Sequence, residues 1–384
     1  MGDVVLVWIA LACVKVLLFP AYHSTDFEVH RNWLAITGYL PIREWYFNDT
    51  SEWTLDYPPL FAYFEWVLFQ LSRFIDPDLI QVLDRYNDDR FSVVCFQRST
   101  VILTELVLAW ATVRYLRSSR VPSRLQALAF GAIVGNGGLL LVDHIHFQYN
   151  GFLIGILVLT LDFCNKEQYL ASAFSFSVLI FLKHLFAPLA LPFGVFLLSA
   201  YCVKNEKFQF INFLKLVAIA LCVVLLAFGP FLLQPDIFSQ LQQIFTRLFP
   251  FGRGLVHTYW APNVWALYCF TDRVLLQACA NSSVNGVLGS VCTIASNFDP
   301  SRSSTTGVLG SATAFAFLPS VSAGVCLGAI VVAMAPALYA LAKKPDPGVL
   351  IDAVLYCSMC SFMFGYHVHE KAVLIPMILA VLTL

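Results

Sequence analysis

Long apolar runs separated by short polar segments constrain this chain more than any other feature. Of its 384 residues, 59% are hydrophobic and only 12% are charged, whereas soluble domains are about half apolar and about a quarter charged. Only a segment that satisfies its own backbone hydrogen bonds can cross hydrocarbon, and for runs of this length that segment is a helix. The sequence therefore predicts an all-α, polytopic membrane protein.

The apolar runs form a single predicted membrane domain that covers residues 1–384. Residues 59–75 are also apolar, but the acidic stretch after them favours a segment that does not cross. The first run lacks a basic start and a small-residue cleavage site, so we expect a retained span and not a signal peptide. The predicted spans cover residues 3–20, 93–114, 125–142, 151–164, 168–186, 188–203, 211–233, 321–342, 348–366 and 372–384.

Basic residues mark one side of these spans. Loops rich in lysine and arginine stay in the cytoplasm, so the remaining loops face the lumen, where the glycosylation acceptors Asn48 and Asn281 also fall. By parity, the lumenal loops are those at about 21–92, 143–150, 234–320 and 367–371. The basic residues that set this orientation are Arg114, Arg117, Arg120, Arg124, Lys166, Lys204, Lys207, Lys343 and Lys344.

Composition excludes some classes of partner. The net charge is −1 and no basic tract is present, so we expect membrane lipid as a partner and no nucleic acid. The eleven cysteines are scattered without the spacing of a metal site. Cys279 and Cys292 can form a disulfide if their loop faces an oxidising lumen.

Ionisable side chains concentrate on the predicted lumenal face, where seven of the eight histidines lie. A pump or channel would place such groups at mid-membrane depth, and a transporter would also show an inverted repeat, which we do not find in the sequence. The distribution favours an enzyme whose site lies at the boundary between membrane and lumen. A lipid or sugar transporter and a non-catalytic subunit are the alternatives.

The segment Tyr22–Trp33 directly follows the first span and contains Asp26 and Glu28. A carboxylate here can take the proton from a sugar hydroxyl as that hydroxyl attacks. Residues two apart do not share one face of a helix, so we expect separate roles. Asp26 is the predicted general base, and Glu28 beside it positions the base or the acceptor. An ordinary polar loop is the alternative.

Two further lumenal segments suit substrate binding. Asp56 lies shortly before Pro58 and Pro59, which interrupt one helix and begin the next. We expect the carboxylate of Asp56 to line a sugar site. Arg247 and Arg253 flank an aromatic–Pro–Gly turn. One guanidinium group can bind two phosphate oxygens at once, so both arginines are predicted phosphate ligands. Anchoring at the membrane interface is the alternative.

Two histidine-containing segments complete the candidate site. The stretch Leu141–Gly151 includes His144, His146 and Gln148. This pattern is weak evidence for a metal site, and recognition of sugar or phosphate is the other reading. We expect these three side chains to contact donor or acceptor. A second group follows a late span and comprises His369, Glu370 and Lys371. A protonated histidine and a lysine there can neutralise a departing phosphate.

Together these motifs make the chain resemble the dolichyl-phosphate-glucose-dependent α-1,3-glucosyltransferases of asparagine-linked glycosylation, glycosyltransferase family 57, from about Val14 to the end. The motifs that carry the resemblance are His23–Trp33, Asp143–Asn150 and His367–Lys371. They are closer to the branch that adds the second glucose than to the branch that adds the first, which remains the alternative. The resemblance implies the GT-C membrane fold.

The resemblance also implies an inverting reaction in the lumen of the endoplasmic reticulum. Glucose would move from β-linked dolichyl phosphate glucose to the monoglucosylated oligosaccharide on dolichol diphosphate, without a metal or other cofactor. The catalytic aspartate of the family maps onto Asp26. Chains of the family continue through several more spans, whereas this one stops at Leu384 inside an apolar run, so we expect that it lacks the C-terminal spans of the family.

Overall fold

The computed structural model describes residues 2–81, 88, 90–118, 121–257, 261–280 and 315–383; Asn281 and Cys292 lie outside these residues. Its helices are α1 (Gly2–Leu17), α2 (Thr25–Tyr39), α3 (Pro59–Ile75), α4 (Phe91–Thr104), α5 (Leu106–Ser118), α6 (Ser123–Val134), the single turn α7 (Gly137–Leu139), α8 (Asn150–Asn165), α9 (Tyr169–Leu182), α10 (Ala190–Tyr201), α11 (Phe210–Leu232), α12 (Ile237–Leu248), α13 (Val264–Ala280), α14 (Ala323–Lys343), α15 (Pro347–Phe364) and α16 (Leu374–Leu382). One small antiparallel hairpin, β1 (Val203–Lys204) with β2 (Lys207–Phe208), joins α10 to α11.

The described helices confirm the predicted all-α membrane architecture. Two apolar helices, α8 and α9, are shorter than the rest, and α3 is not among the long apolar segments. The segments that are long and apolar enough to cross a membrane are Phe91–Ser118, Leu125–Phe147, His184–Tyr201, Phe210–Leu232, Ala323–Lys343 and Pro347–Phe364.

The chain forms two compact units, and the single membrane domain expected from the sequence stays a prediction. The first unit comprises Met1–Phe249, Leu341–Asp352 and Met377–Leu384, and the second comprises Pro250–Ala340 and Ala353–Pro376. In the second unit, Cys279 is disulfide-bonded.

A buried arginine in α4 holds the first unit together near the predicted lumenal face. Arg98 is 1% exposed, and its guanidinium donates hydrogen bonds to four backbone carbonyls. These belong to Ala21 and Tyr22, just after α1, and to His144 and Ile145. Because one rigid donor group binds both stretches, Arg98 fixes the start of α2 against the segment before α8.

That segment, Leu140–Phe147, is a π helix. It ends at Phe147, whose φ of 85° is uncommon for a residue with a side chain. The buried Phe147 ring packs edge-on against Phe27 and Tyr149, with ring centroids 5.1 and 5.5 Å apart. Wide helical turns of this kind are frequent at functional sites, and this one brings the polar residues of the segment to the end of α8.

Two oppositely charged residues inside the predicted spans form a buried pair. Lys15 of α1 forms a buried ion pair with Glu105, which lies at the break between α4 and α5. Nε2 of His144 lies 3.2 Å from the same carboxylate, and Lys15 also donates to the carbonyl of Val134. Pairing removes the large free-energy cost of a lone charge in a low-dielectric environment.

The two ends of α8 carry different polar groups. Near its C-terminal end, Asp162 pairs with Arg114 and Lys166, with N–O distances of 2.9 and 2.7 Å. Its N-terminal end begins at Asn150, and a helix of 16 residues is about 24 Å long. Basic residues of two predicted cytoplasmic loops therefore lie near the C-terminal end of α8, and the His144–Gln148 segment lies at its N-terminal end. This separation agrees with the predicted orientation of the spans.

We expect Arg98→Met to destabilise the first unit strongly. Methionine keeps much of the packing of the arginine stem but leaves four backbone carbonyls without their donor, and each group that stays buried and unsatisfied costs about 1–3 kcal/mol. Thermal unfolding of the protein purified in detergent should show a melting midpoint several degrees lower. Arg73→Met, on the exposed face of α3, is the matched control. An unchanged midpoint for Arg98→Met would contradict the importance of this clamp.

Candidate functional site

Asp26 lies in the first turn of α2. Ser24 caps this helix, and its hydroxyl accepts a hydrogen bond from the Asp26 amide at 3.1 Å. The positive end of the helix dipole favours a negatively charged side chain at this position. A quarter of the Asp26 side chain, 25%, is exposed, so its carboxylate is both held and accessible.

The segments Tyr22–Trp33 and Leu141–Gly151 meet at Asp26. Gln148 donates from Nε2 to Asp26 Oδ2 at 2.7 Å, and Nε2 of His146 lies 3.4 Å from the same oxygen. The hydroxyl and the amide of Ser24 both donate to the carbonyl of His146, at 2.7 and 3.2 Å. The sequence predicted both motifs as parts of the site, and the structure brings Asp26, His146 and Gln148 together.

A buried chain of hydrogen bonds continues inward from Gln148. Its Oε1 accepts from Nδ2 of Asn150 at 2.8 Å, and the same Nδ2 donates to Asp143 Oδ1 at 2.8 Å. Lys183 donates to Oδ1 of Asn150 at 3.1 Å, and the amide of Gly151 donates to Asp143 Oδ2 at 2.6 Å. Lys183 had no predicted role, because it is 33 residues away from Asn150 at the end of another helix.

Glu28 has a different environment from Asp26. It is buried, and Arg31 binds both of its carboxylate oxygens, at 2.6 and 2.5 Å. Arg31 also donates to the carbonyl of Gln81. These contacts stabilise the fold, and the spacing of three residues that allows the pair is readable from the sequence. The role of Glu28 in positioning the base or the acceptor stays a prediction.

His144 differs from its predicted role as a substrate contact. It is 2% exposed, and its ring faces the Glu105 carboxylate inside the unit. The reason is the π helix, which directs His144 inward while His146, two residues later, lies 3.4 Å from the carboxylate of Asp26. The sequence alone could not distinguish these two histidines.

Asp56 lies next to Tyr57 in the loop before α3. Burial raises the pKa of the Tyr57 hydroxyl well above its usual value, and the carboxylates of Asp56, Asp26 and Asp143 raise it further. Tyr57 therefore stays protonated among these acidic groups. The Lys183 ammonium lies 5.1 Å from the centre of the Tyr57 ring, which adds a cation–π contact.

The predicted phosphate ligand Arg247 lies on α12 and has a structural contact. Its Nε donates to the carbonyl of Tyr46 at 3.1 Å, and Gln243 donates to the same carbonyl. These bonds attach α12 to the loop that precedes α3. The side chain of Arg253, the other predicted arginine, lies outside the described part of the structure.

The second unit contains a cluster of half-buried histidines. The rings of His257 and His369 lie 4.2 Å apart, and Nδ1 of His369 is 2.8 Å from Oε2 of Glu370. Burial raises the pKa of the Glu370 carboxyl, but the hydrogen bond and charge of His369 outweigh it and lower the pKa below its usual value. Lys371 is half-buried beside them.

This cluster offers ligand atoms of the kind that bind metal ions. One ligand atom each of His257, His369 and Glu370 lies within 4.8 Å of the others. However, His369 Nδ1 and Glu370 Oε2 already form an ion-pair contact at 2.8 Å, and a metal would have to replace that contact. The metal-free site that we predict from the sequence therefore stays a prediction.

The chain is similar to known proteins over most of its length. The profile of the ALG6, ALG8 glycosyltransferase family matches residues 11–384. Three curated relatives are named dolichyl pyrophosphate Glc1Man9GlcNAc2 alpha-1,3-glucosyltransferase. That of Gibberella zeae is 45% identical over 96% of this chain and 71% of its own length. The values are 45%, 96% and 72% for Neurospora crassa and 42%, 94% and 68% for Arabidopsis thaliana.

We expect Glu28→Gln to affect stability more than chemistry. It leaves the buried Arg31 without a charged partner, which costs about 3–5 kcal/mol. The double variant Glu28→Gln with Arg31→Gln removes both charges and should recover much of that loss. Thermal unfolding of the two single variants and the double variant measures the coupling. Additive losses of stability would show that the two side chains do not act as a pair.

Proposed function

We propose that this chain, which belongs to the ALG6, ALG8 glycosyltransferase family, transfers glucose from dolichyl phosphate glucose to an oligosaccharide on dolichol diphosphate. The acceptor is the monoglucosylated oligosaccharide, and the new bond is α-1,3. Three relatives at 42–45% identity carry this acceptor and this linkage in their names. They favour addition of the second glucose over addition of the first.

The accessible carboxylate of Asp26 is the observation that carries the proposed mechanism. Glu28, Glu65 and Asp143 also lie in this unit, but each is at most 4% exposed, whereas a quarter of the Asp26 side chain is exposed. The N-terminus of α2 and the amide of Gln148 both favour the ionised form of a carboxylate. An ionised, accessible carboxylate is what a general base requires.

In the proposed reaction, Asp26 takes the proton of the acceptor 3-hydroxyl as that oxygen attacks C1 of the donor glucose. The bond between C1 and the phosphate oxygen breaks, and dolichyl phosphate leaves with the electron pair. Attack from the opposite face converts the β-linked donor into an α-linked product, which is inversion. Asp56, His146 and Gln148 are the proposed contacts of the sugars.

The departing phosphate gains negative charge, so cationic groups must stabilise it. We assign this role to Arg253, His369 and Lys371, and a further one to Arg247, because of their charge. The Glu370 carboxylate lies 2.8 Å from Nδ1 of His369, so we assign Nε2 of that ring to the phosphate. Each of these side chains can carry a positive charge and can bind a phosphate oxygen without a metal ion.

A multi-pass position in the endoplasmic-reticulum membrane, with Asp26 on the lumenal side, is part of the proposal. Disulfides persist in oxidising compartments, and Cys279 is disulfide-bonded. The glycosylation acceptor Asn48 lies in a loop in which Thr50 donates to its side-chain oxygen at 2.9 Å. Both features belong to the loops that the positive-inside rule assigns to the lumen.

Asp26→Asn should lower turnover by about 10²–10⁴-fold, because the change keeps the size of the side chain and removes its basicity. Initial rates of purified protein against dolichyl phosphate glucose should show this loss in kcat, with little change in KM for the donor. Glu28→Gln should retain a much higher rate per folded molecule. A collapse of the rate with Glu28→Gln, alongside a normal rate with Asp26→Asn, would show that the base is the other carboxylate.

Glucose transfer should persist in the presence of a metal chelator. The proposed contacts of the phosphate are cationic side chains, and the carboxylate of Glu370 already binds His369. The same assay, run with EDTA and then with added Mn²⁺ or Mg²⁺, checks this expectation. Loss of transfer with EDTA and recovery with either metal would instead assign His257, His369 and Glu370 as metal ligands.

A further inference from the structure

We propose that Gln148 is a positioning residue for Asp26, and that Asp143, Asn150 and Lys183 fix the direction in which its side-chain amide points. This inference rests on the proposed function, in which Asp26 is the general base. It adds a specific task to four residues of the first unit, two of which, Asp143 and Asn150, are buried.

The direction of the Gln148 side-chain amide determines whether a donor nitrogen or an acceptor oxygen faces the Asp26 carboxylate. A glutamine amide has a donor end and an acceptor end that differ little in shape. With the nitrogen towards Asp26, as at the observed 2.7 Å, the amide stabilises the carboxylate. Turned by 180°, it would place a carbonyl oxygen against that carboxylate and repel it.

Asn150 selects the productive direction, because its own nitrogen donates to Oε1 of Gln148 at 2.8 Å. That leaves the nitrogen of Gln148 as the atom that faces Asp26. The direction of Gln148 therefore depends on the direction of Asn150, which has the same ambiguity between its two ends.

Two charged groups remove the ambiguity of Asn150. Lys183 has only donors, so the atom of Asn150 that it contacts at 3.1 Å must be the oxygen. Asp143, when ionised, has only acceptors, so the atom that it contacts at 2.8 Å must be the nitrogen. The amide of Gly151 holds the second oxygen of Asp143 at 2.6 Å, which keeps that carboxylate in place.

The result is one directed chain of donors that runs from Asn150 through Gln148 to Asp26. Asp143 and Asn150 at its inner end are buried, and its outer end is the quarter-exposed carboxylate of Asp26, which we propose meets the substrate. A carboxylate held in this way needs little reorganisation when the acceptor hydroxyl arrives. Misplacement of a reacting group by about 1 Å can lower a rate by about 100-fold.

The test replaces Gln148 with leucine, which has a similar size and no polar end. We expect kcat to fall by about 10–100-fold, while KM for dolichyl phosphate glucose stays within about twofold. The acid limb of the plot of kcat against pH should move to higher pH, because loss of a donor disfavours the ionised form of a carboxylate. Gln148→Glu, which keeps the shape but adds a negative charge, should move the limb further in the same direction.

Other titratable or charged groups face Asp26 and its partners. His146 lies 3.4 Å from Asp26 Oδ2, so the pH profile is also measured for His146→Gln with and without the Gln148 change. Around the network, the groups on neighbouring elements include Asp56 and Tyr57 of the loop before α3, Glu65 of α3, Glu105 between α4 and α5, Asp143 and His144 of the π helix and Lys183 at the end of α9. All of them are unchanged in the Gln148 variants.

Gln234→Leu is the matched control, because Gln234 donates to the carbonyl of Pro230 in the preceding turn and is far along the chain from the network. Its kcat and pH profile should equal those of the unchanged protein. Thermal unfolding of each variant separates loss of folding from loss of rate. If Gln148→Leu does not fold, the isosteric Gln148→Glu supplies the kinetic measurement.

A second background distinguishes this inference from the proposed function. In Asp26→Asn, the change Gln148→Leu should cause no further loss of kcat, because Gln148 acts through Asp26. A full additional loss would overturn the positioning role, as would normal kcat and an unmoved acid limb for both Gln148 variants. A normal rate for Asp26→Asn alone would instead overturn the assignment of the base.

Discussion

The buried guanidinium of Arg98 is the contact on which the geometry of the site depends. It binds carbonyls from two stretches of chain that are more than a hundred residues apart, and both stretches lead directly into the site. The stretch at Ala21 and Tyr22 continues into the cap of α2, where Asp26 lies. The other continues from Ile145 to Gln148. Because a guanidinium is planar and carries five donors, it sets the separation and the direction of both.

Around this clamp, the membrane-embedded part of the first unit is organised by paired charges. Lys15 is paired with Glu105, and Asp162 is paired with Arg114 and Lys166. Buried ions of this kind contribute little net stability, but removing one partner is costly, so they define which arrangement of helices is acceptable. Hydrogen bonding to a buried carboxylate extends to the site, where Asp143 accepts from the side-chain amide of Asn150.

Much of the candidate site was readable from the sequence, since polar residues between apolar runs are few and their chemistry is restricted. Asp26, His146 and Gln148 were predicted and lie together. Glu28 and His144 show where such reasoning stops. Both are polar residues in the correct loops, yet Glu28 is paired with Arg31 and His144 faces Glu105. Which side chain points outward depends on a π helix and on the positive φ of Phe147, and neither has a signal in the sequence.

The sequence by itself determined the all-α polytopic architecture, because apolar runs in a membrane have no alternative to satisfying their backbone hydrogen bonds within helices. Its motifs also determined the family. Only the tertiary structure decided that Asn150 and Lys183 support Asp26, and that the amide of Gln148 points in one direction. The physical reason is that a hydrogen-bonded chain needs atoms placed to within a few tenths of an ångström. Packing between helices distant in sequence sets those positions, and local patterns of residues do not.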